Sequence, residues 1–431
     1  METLRIVRSA DLTDRDRTIL FERRASLDDI IPAVREIMET VRSEGDLALR
    51  RLTERFDGAG LDSLQVRHDE FDRAERAVTP AVRDALERAI SAVRIFHAPQ
   101  VPREEPVETA AGVCAWHAWR PIERVGLYVP GGRGAYPSSV VMLGVPAAIA
   151  GCPEIVLCTP PDRDGSVPAA TLVAARLVGI TRVFKLGGAQ AIAAMAYGTE
   201  SVPRVDKLFG AGNAYVMAAK LLAFPDCALD APAGPSELLI IADETADAGM
   251  IAADLLSDVE HGPDSPAVLL TISPSLADAV RAEIERRLVE LPRESIARKA
   301  LAERGMIVIT GSLDEASELA NVYAPEHLEI ITADPRSLLP AIVHAGSVFL
   351  GPYAPNAAGD YATGTNHVLP TAGYARTFAP VSVESFGRLI QCQELTAAGL
   401  SELLPTITAL AREEGLEGHA RAAEARFAAD R

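Results

Sequence analysis

Four histidines of this chain sit in dense polar motifs. They are His261 in Asp258-Val259-Glu260-His261-Gly262-Pro263, His327 in Ala324-Pro325-Glu326-His327-Leu328-Glu329, His367 in Gly359-Asp360-Tyr361-Ala362-Thr363-Gly364-Thr365-Asn366-His367, and His419 in Glu414-Gly415-Leu416-Glu417-Gly418-His419. Each has a carboxylate at most seven residues away. If the four segments meet, they supply imidazole nitrogens and carboxylate oxygens that suit a divalent ion, with acid–base groups to spare. That is the chemistry of a metal-dependent active site, and it leaves hydrolysis by metal-activated water open beside oxidation of an alcohol.

Asp258 and His261 are three apart at the end of a helical pattern closed by Gly262-Pro263, so both are expected on one helix face, where they can share an ion. Glu326-His327 follows Pro325 at the entrance of an apolar strand, and a turn there can bring the two together as a base and a water-activating carboxylate. Asp360 and His367 share a stretch with Gly359, Gly364 and Asn366 that is too rich in glycine for core and reads as a functional loop. By spacing alone, Glu414 and His419 read as a solvated helix face. His68, His97, His117 and His344 have no comparable neighbourhood and are read as structural. So are Cys114, Cys152, Cys158, Cys227 and Cys392, which lack a basic neighbour to lower a thiol pKa.

These motifs need a frame to position them. Between residues 122 and 233, short apolar runs alternate with glycine turns and alanine-rich stretches. Strands are expected there over 125–129, 154–158, 182–186, 207–209 and 228–230, with helices over 140–150, 169–178, 189–197 and 214–222. A second series has strands over 238–242, 268–272, 307–310, 328–331 and 347–350. The fold class expected is α/β, with two Rossmann-like, doubly wound parallel-sheet domains, each sheet covered on both faces, and small, mainly helical N- and C-terminal extensions. The segment 27–97 is amphipathic helix, with Ile30, Val34, Ile37, Met38 and Val41 at helical spacing, and everything after Pro380 reads as mostly helical. The domains expected are an extension at 1–24, a first α/β domain from 25–121 with 234–376, a second at 122–233, and a tail at 377–431.

Glycine-bearing turns follow the expected strands at Pro130-Gly131-Gly132, Gly187-Gly188-Ala189-Gln190, Gly210-Ala211-Gly212-Asn213 and Ala233-Gly234-Pro235-Ser236-Glu237. Such turns let backbone N–H groups approach a phosphate at the carboxyl ends of strands, and four together point to a nucleotide as much as to plain tight turns. The dinucleotide fingerprint itself is missing, because Gly132-Arg133-Gly134-Ala135-Tyr136-Pro137 ends in proline. With 60 acidic against 42 basic residues and a net charge of −18, neither nucleic acid nor an anionic membrane is expected as main partner. The longest apolar stretch, 140–150, is interrupted by Gly144 and Pro146 and is too short to span a bilayer. Five widely spaced cysteines without a CxxC pair and a start without an apolar signal core fit a soluble cytoplasmic protein with reduced thiols.

Taken together, the chain resembles the histidinol dehydrogenases over nearly its whole length. The resemblance is carried by Val125-Gly126-Leu127-Tyr128-Val129-Pro130-Gly131-Gly132, Gly187-Gly188-Ala189-Gln190-Ala191-Ile192-Ala193, Ala233-Gly234-Pro235-Ser236-Glu237, Ala324-Pro325-Glu326-His327-Leu328, and Gly359-Asp360-Tyr361 through Asn366-His367-Val368-Leu369-Pro370-Thr371. It implies a zinc- and NAD-dependent homodimer that oxidises L-histidinol through L-histidinaldehyde to L-histidine, the last step of histidine biosynthesis, with reduction of two NAD. Carried onto the matching positions, zinc would be held by Asp258, His261, Asp360 and the partner subunit's His419. His327 would be the base for alcohol oxidation, and Glu326 would activate the water that hydrates the aldehyde. Ser236, His367 and Glu414 would contact substrate together with Asp258, His261, His327, Asp360 and His419, and Tyr128, Gln190 and Asn213 would contact NAD. The tail would dock on the partner, which reverses the reading of Glu414 and His419 as mere solvated face. Asp258 stands where the family carries glutamine, and Ala211 where it carries proline, so a paralogous dehydrogenase of another amino alcohol or hydroxy acid is the alternative.

Overall fold

The computed structural model describes residues 4–430 apart from Ala25, Gly132, Arg133 and Ala233, with the backbone alone for 428–430. The parts of the glycine turns that fall on Gly132, Arg133 and Ala233 therefore lie outside the described residues. In chain order the strands are β1 (Arg5–Arg8), β2 (Val107–Ala110), β3 (Val113–Pro121), β4 (Arg124–Tyr128), β5 (Glu154–Thr159), β6 (Arg182–Lys185) and β7 (Lys207–Phe209). They continue with β8 (Ala228–Leu229), β9 (Leu238–Ala242), β10 (Ala267–Thr271), β11 (Met306–Ile309), β12 (His327–Ile331), β13 (Ser347–Leu350) and β14 (Gly387–Leu395).

The chain divides into two units, Met1–Gln100 with Ile122–Phe386, and Val101–Pro121 with Gly387–Arg431. The larger unit holds two parallel sheets, one ordered β6-β5-β4-β7-β8 and the other β1-β11-β10-β9-β12-β13. Setting β1 aside, both follow the same doubly wound order, in which the first strand of the series, β4 or β9, sits centrally and the order reverses beside it. The two Rossmann-like sheets expected from the sequence are present.

β9, Leu-Leu-Ile-Ile-Ala, is buried along its whole length because helices cover both faces. Its side chains alternate as a strand requires. Leu238, Ile240 and Ala242 pack with Ile251, Leu255, Leu276 and Ile284, and Leu239 and Ile241 with Leu20, Ala316, Ala320 and Tyr323. The amphipathic segment forms helices Ile31–Asp57, His68–Ala77 and Pro80–His97. Val34, Met38 and Val41 of the first join Ile192, Met195 and Leu208 in the core beside the five-stranded sheet.

Four strands, β1, β2, β3 and β14, lie outside those expected. β1, only four residues with an arginine at each end, adds in parallel to β11 at the sheet edge. The stretch after residue 380, expected as mostly helical, also supplies β14, which pairs antiparallel with β3 from Gly387↔Pro121 to Leu395↔Val113. With β2 it makes the three-stranded sheet of the smaller unit, followed by helices Ala397–Glu413 and Glu417–Glu424. Among the described residues no helix is long and apolar enough to cross a membrane.

Candidate active site

β9 and β12 run side by side, with His327 opposite Leu238. Residues that enter these strands, Ser236, Glu237, Glu326 and His327, are thereby gathered at the amino edge of the six-stranded sheet. The helix Ala248–Val259 runs back after β9, so its last turn delivers Asp258 to the same edge, where Ser236 Oγ donates to Asp258 Oδ1 at 3.1 Å. The helix Asn356–Tyr361 and the loop after it add Asp360 and His367, with His367 Nδ1 3.8 Å from Asp360 Oδ1. His327 is the hub of the cluster. Its Nδ1 lies 3.9 Å from Asp258 Oδ1 and 3.7 Å from Glu326 Oε2, and its Nε2 lies 3.9 Å from Asp360 Oδ1.

His261 is placed differently from the expectation of a shared helix face. Val259 is the last helical residue and Glu260 the cap, so His261 leaves on the following turn and is exposed. It is still close enough to His327 and His367 to disfavour their protonation.

Hydrogen bonding fixes the state of His327. Its Nδ1 faces the Glu237 carbonyl at 3.2 Å, and a carbonyl only accepts, so Nδ1 carries the proton. Nε2 is then a bare acceptor, buried without a hydrogen-bond partner. Burial pushes His327 down to about 3 and His367 down to about 4, so both rings are neutral at physiological pH. Burial also lifts Asp360 to about 6 and holds Asp258 and Glu326 well above the carboxylate range, with neighbouring carboxylates adding to the effect in the last two. Asp258 Oδ2 is buried without a hydrogen-bond partner as well. The cluster is short of positive charge. Among the described residues, no group of three or more His, Cys, Asp or Glu is placed to hold a metal ion.

Residues that the sequence reading passed over position these groups. Glu329, on β12 and 1% exposed, accepts the Asn356 N–H through Oε1 at 2.7 Å and so tethers the short helix that carries Asp360. Asp254, one turn before Asp258, hydrogen-bonds to Glu329 and is lifted by burial to about 6. Glu237 and Arg23 form a buried ion pair directly behind Glu326 and His327. A local signal existed for the two glutamates, since each interrupts or heads an otherwise apolar central strand; nothing near Arg23 marks it.

The residues expected to contact a nucleotide lie at the carboxyl edge of the five-stranded sheet. Tyr128 ends β4, and its hydroxyl accepts the Gly188 N–H at 3.1 Å; burial lifts that hydroxyl to about 12, so it stays protonated and can still donate. Gln190 is buried in the first turn of helix Gly188–Tyr197. Asn213 caps helix Ala214–Ala223, its side-chain oxygen accepting the Val216 N–H at 3.1 Å, so the cap uses the oxygen and not the amide NH₂. Gly210 has φ +114°, and any Cβ there would meet the Tyr128 carbonyl. A cavity of about 300 Å³ opens beyond β4 and β5, lined by Pro130, Gly131, Thr159, Pro160, Asp162 and Thr171 among others. Glu414 and His419 belong to the smaller unit, at the end of helix Ala397–Glu413 and in helix Glu417–Glu424, and both are exposed.

These parts define an α/β enzyme with two Rossmann-like sheets, one presenting a buried acid–base cluster and the other a glycine-lined edge. The profile of the histidinol dehydrogenase family matches residues 21–427. The chain is 52% identical over 397 residues to the histidinol dehydrogenase of Xanthomonas euvesicatoria pv. vesicatoria, covering 92% of each chain. It is 48% identical over 424 residues to that of Vibrio vulnificus, covering 97% of each. The crystal structure of histidinol dehydrogenase from Elizabethkingia anophelis matches with a TM-score of 0.94 at 40% identity, over 99% of this chain and 98% of that one. The chain belongs to the histidinol dehydrogenase family.

Proposed function

We propose that the chain oxidises L-histidinol through L-histidinaldehyde to L-histidine, reducing two NAD, as a zinc-dependent cytoplasmic homodimer. The observation that carries this reading is His327, a neutral imidazole with its proton held on Nδ1, where Glu326 also lies, and a bare Nε2 on the side of Asp360.

In the first oxidation His327 Nε2 takes the hydroxyl proton. The Glu237 carbonyl keeps the ring in the required tautomer, and Asp258 and Asp360, each 3.9 Å away, stabilise the imidazolium that forms. In the second, Glu326, its Oε2 oriented by the Glu237 N–H at 3.0 Å, takes a proton from the water that adds to the aldehyde. Ser236, His367 and the partner subunit's Glu414 orient the substrate around these two bases. When bound, NAD at Tyr128, Gln190 and Asn213 supplies a hydride acceptor, and zinc at Asp258, His261, Asp360 and the partner subunit's His419 supplies a fixed charge that anchors the substrate.

The donor set suits zinc in kind: two carboxylates raised by burial, one with an unpartnered oxygen, and an imidazole. A ligand from a second copy is supported by the exposure of Glu414 and His419 in the single chain.

The test is initial-rate NADH formation with L-histidinol against a panel of other amino alcohols and hydroxy acids. L-Histidinol is expected to lead by at least about 100-fold in kcat/KM. A different preferred alcohol would establish the paralogue, and product formed without NAD would establish a hydrolase.

A further inference from the structure

We infer that Arg23 and Glu237 are a positioning pair for the acid–base chemistry: Glu237 sets where Glu326 and His327 stand and which nitrogen of His327 bears the proton, and Arg23 holds Glu237 in register. The inference rests on the proposed role of His327 in alcohol oxidation.

Glu237 is 1% exposed and bonded to both bases at once. Its N–H donates to Glu326 Oε2 at 3.0 Å, which orients the carboxyl expected to activate water. Its own carboxylate, through Oε1, accepts the N–H of Glu326 at 3.2 Å and the N–H of Ala372 at 3.1 Å. Its carbonyl accepts the His327 N–H at 3.3 Å and the Nδ1 proton at 3.2 Å. One residue thus touches the backbone and the side chain of both bases, and also the segment that returns from His367.

Arg23 is buried too, with its guanidinium paired to Glu237 Oε2 and donating to the Tyr323 carbonyl. The guanidinium carbon lies 3.4 Å from the Tyr323 ring centroid. Tyr323 ends the helix Leu313–Tyr323, and Ala324 then takes φ 52° before Pro325. The turn that delivers Glu326 is therefore fastened by Arg23 where it leaves the helix and by Glu237 where it enters β12.

Burying a carboxylate beside Asp258 and Glu326, which already repel one another, is unfavourable unless it is paired and hydrogen-bonded, as Glu237 is by Arg23 and by the two N–H groups. What the pair supplies that a hydrophobic filler cannot is a carboxylate that holds the N–H groups of Glu326 and Ala372, and so fixes the stretch of main chain whose own N–H and carbonyl meet the two bases. The two acceptors of Arg23 need its planar fork, because an ammonium on a flexible stem is a single point charge.

Arg23→Lys keeps the charge and loses the fork, and Glu237→Gln keeps the size and loses the charge. Both full-length variants are to be compared with the parent protein in thermal unfolding and in NADH formation from L-histidinol well below each melting temperature. Ring-nitrogen NMR of histidine-labelled protein, with His327 assigned through His327→Asn, adds a readout of the tautomer. Expected is a loss of about 10- to 100-fold in kcat with KM for L-histidinol within about threefold, and a His327 ring no longer confined to the Nδ1–H tautomer. An unchanged kcat and tautomer, or a loss of rate that disappears on cooling, would show the pair to be structural only and overturn the inference. So would failure of both variants to fold; if only Glu237→Gln fails, Arg23→Lys decides. Should the parent protein give no NADH from L-histidinol, the proposed reaction fails, and the tautomer readout still decides the positioning role.

Discussion

Replacing His327 by asparagine removes the base while sparing what surrounds it. The asparagine Nδ2 takes a place close to that of Nδ1 and can go on donating to the Glu237 carbonyl, which the imidazole reaches at 3.2 Å. What disappears is Nε2, the buried nitrogen without a hydrogen-bond partner. A positioned general base contributes about 10²- to 10⁴-fold, and burial makes His327, pushed down to about 3, a weaker base than free imidazole, so the lower half of that range applies. The expected loss in kcat is about 100- to 1000-fold, or about 3–4 kcal/mol of barrier. Stability should fall by only about 1 kcal/mol, because few ring atoms are removed and no charge is exposed. The assay is NADH absorbance, run once with L-histidinol and once with L-histidinaldehyde. The second oxidation depends on Glu326 and should lose less than about tenfold. A variant whose kcat on L-histidinol stays within about threefold of the parent would remove His327 from the role of base.

His367, pushed down to about 4 by burial, binds its proton more weakly in the folded chain than in the unfolded one, whose ordinary value is 6.5. Between those values the unfolded state takes up more protons, so the metal-stripped parent should lose stability relative to His367→Asn as pH falls from 6.5 to 4, by up to about 3 kcal/mol, with the two coinciding above that window. Urea midpoints against pH check it, and parallel curves would refute it. Gly364 has φ +92°, and a Cβ there would strike the Ala92 carbonyl. Gly364→Ala should cost at least about 2 kcal/mol and disturb the loop that carries His367, read by thermal unfolding and rate together. For the subunit arrangement, His327→Asn and His419→Asn each kill the enzyme alone, but dissociated, mixed and reassembled they should recover about a quarter of parent activity, since half the dimers are mixed and each of those has one intact site. No recovery, with mixed dimers demonstrated, would place His419 in its own subunit's site.

The central strands were legible because buried parallel strands are short apolar runs closed by glycine or proline; β9 and β13 coincide with the residues expected. β14 was not, since most of its side chains are exposed and its pairing with β3 is set by a segment some 270 residues earlier, a long-range choice that local pattern does not encode. In the site, Glu326, His327, Asp360 and His367 stood out as polar residues among glycine and proline, and the fold does bring them together. The Asp258–His261 face failed because the helix stops at Val259, two residues earlier than that geometry needs. Arg23 was invisible, 214 residues from Glu237 and in a segment with no pattern of its own. The acid–base cluster also lies at the amino edge of its sheet, whereas ligands of doubly wound sheets ordinarily sit at the carboxyl edge, the side that Tyr128 and Asn213 occupy.

The most direct measurement of the central claim is the stoichiometry of a single limiting substrate. Purified protein given a known amount of L-histidinol and excess NAD should form two NADH for each L-histidinol consumed, with L-histidine as the end product. One NADH with free aldehyde released, or none at all, would contradict the assignment of His327 and Glu326 to successive oxidations in one site.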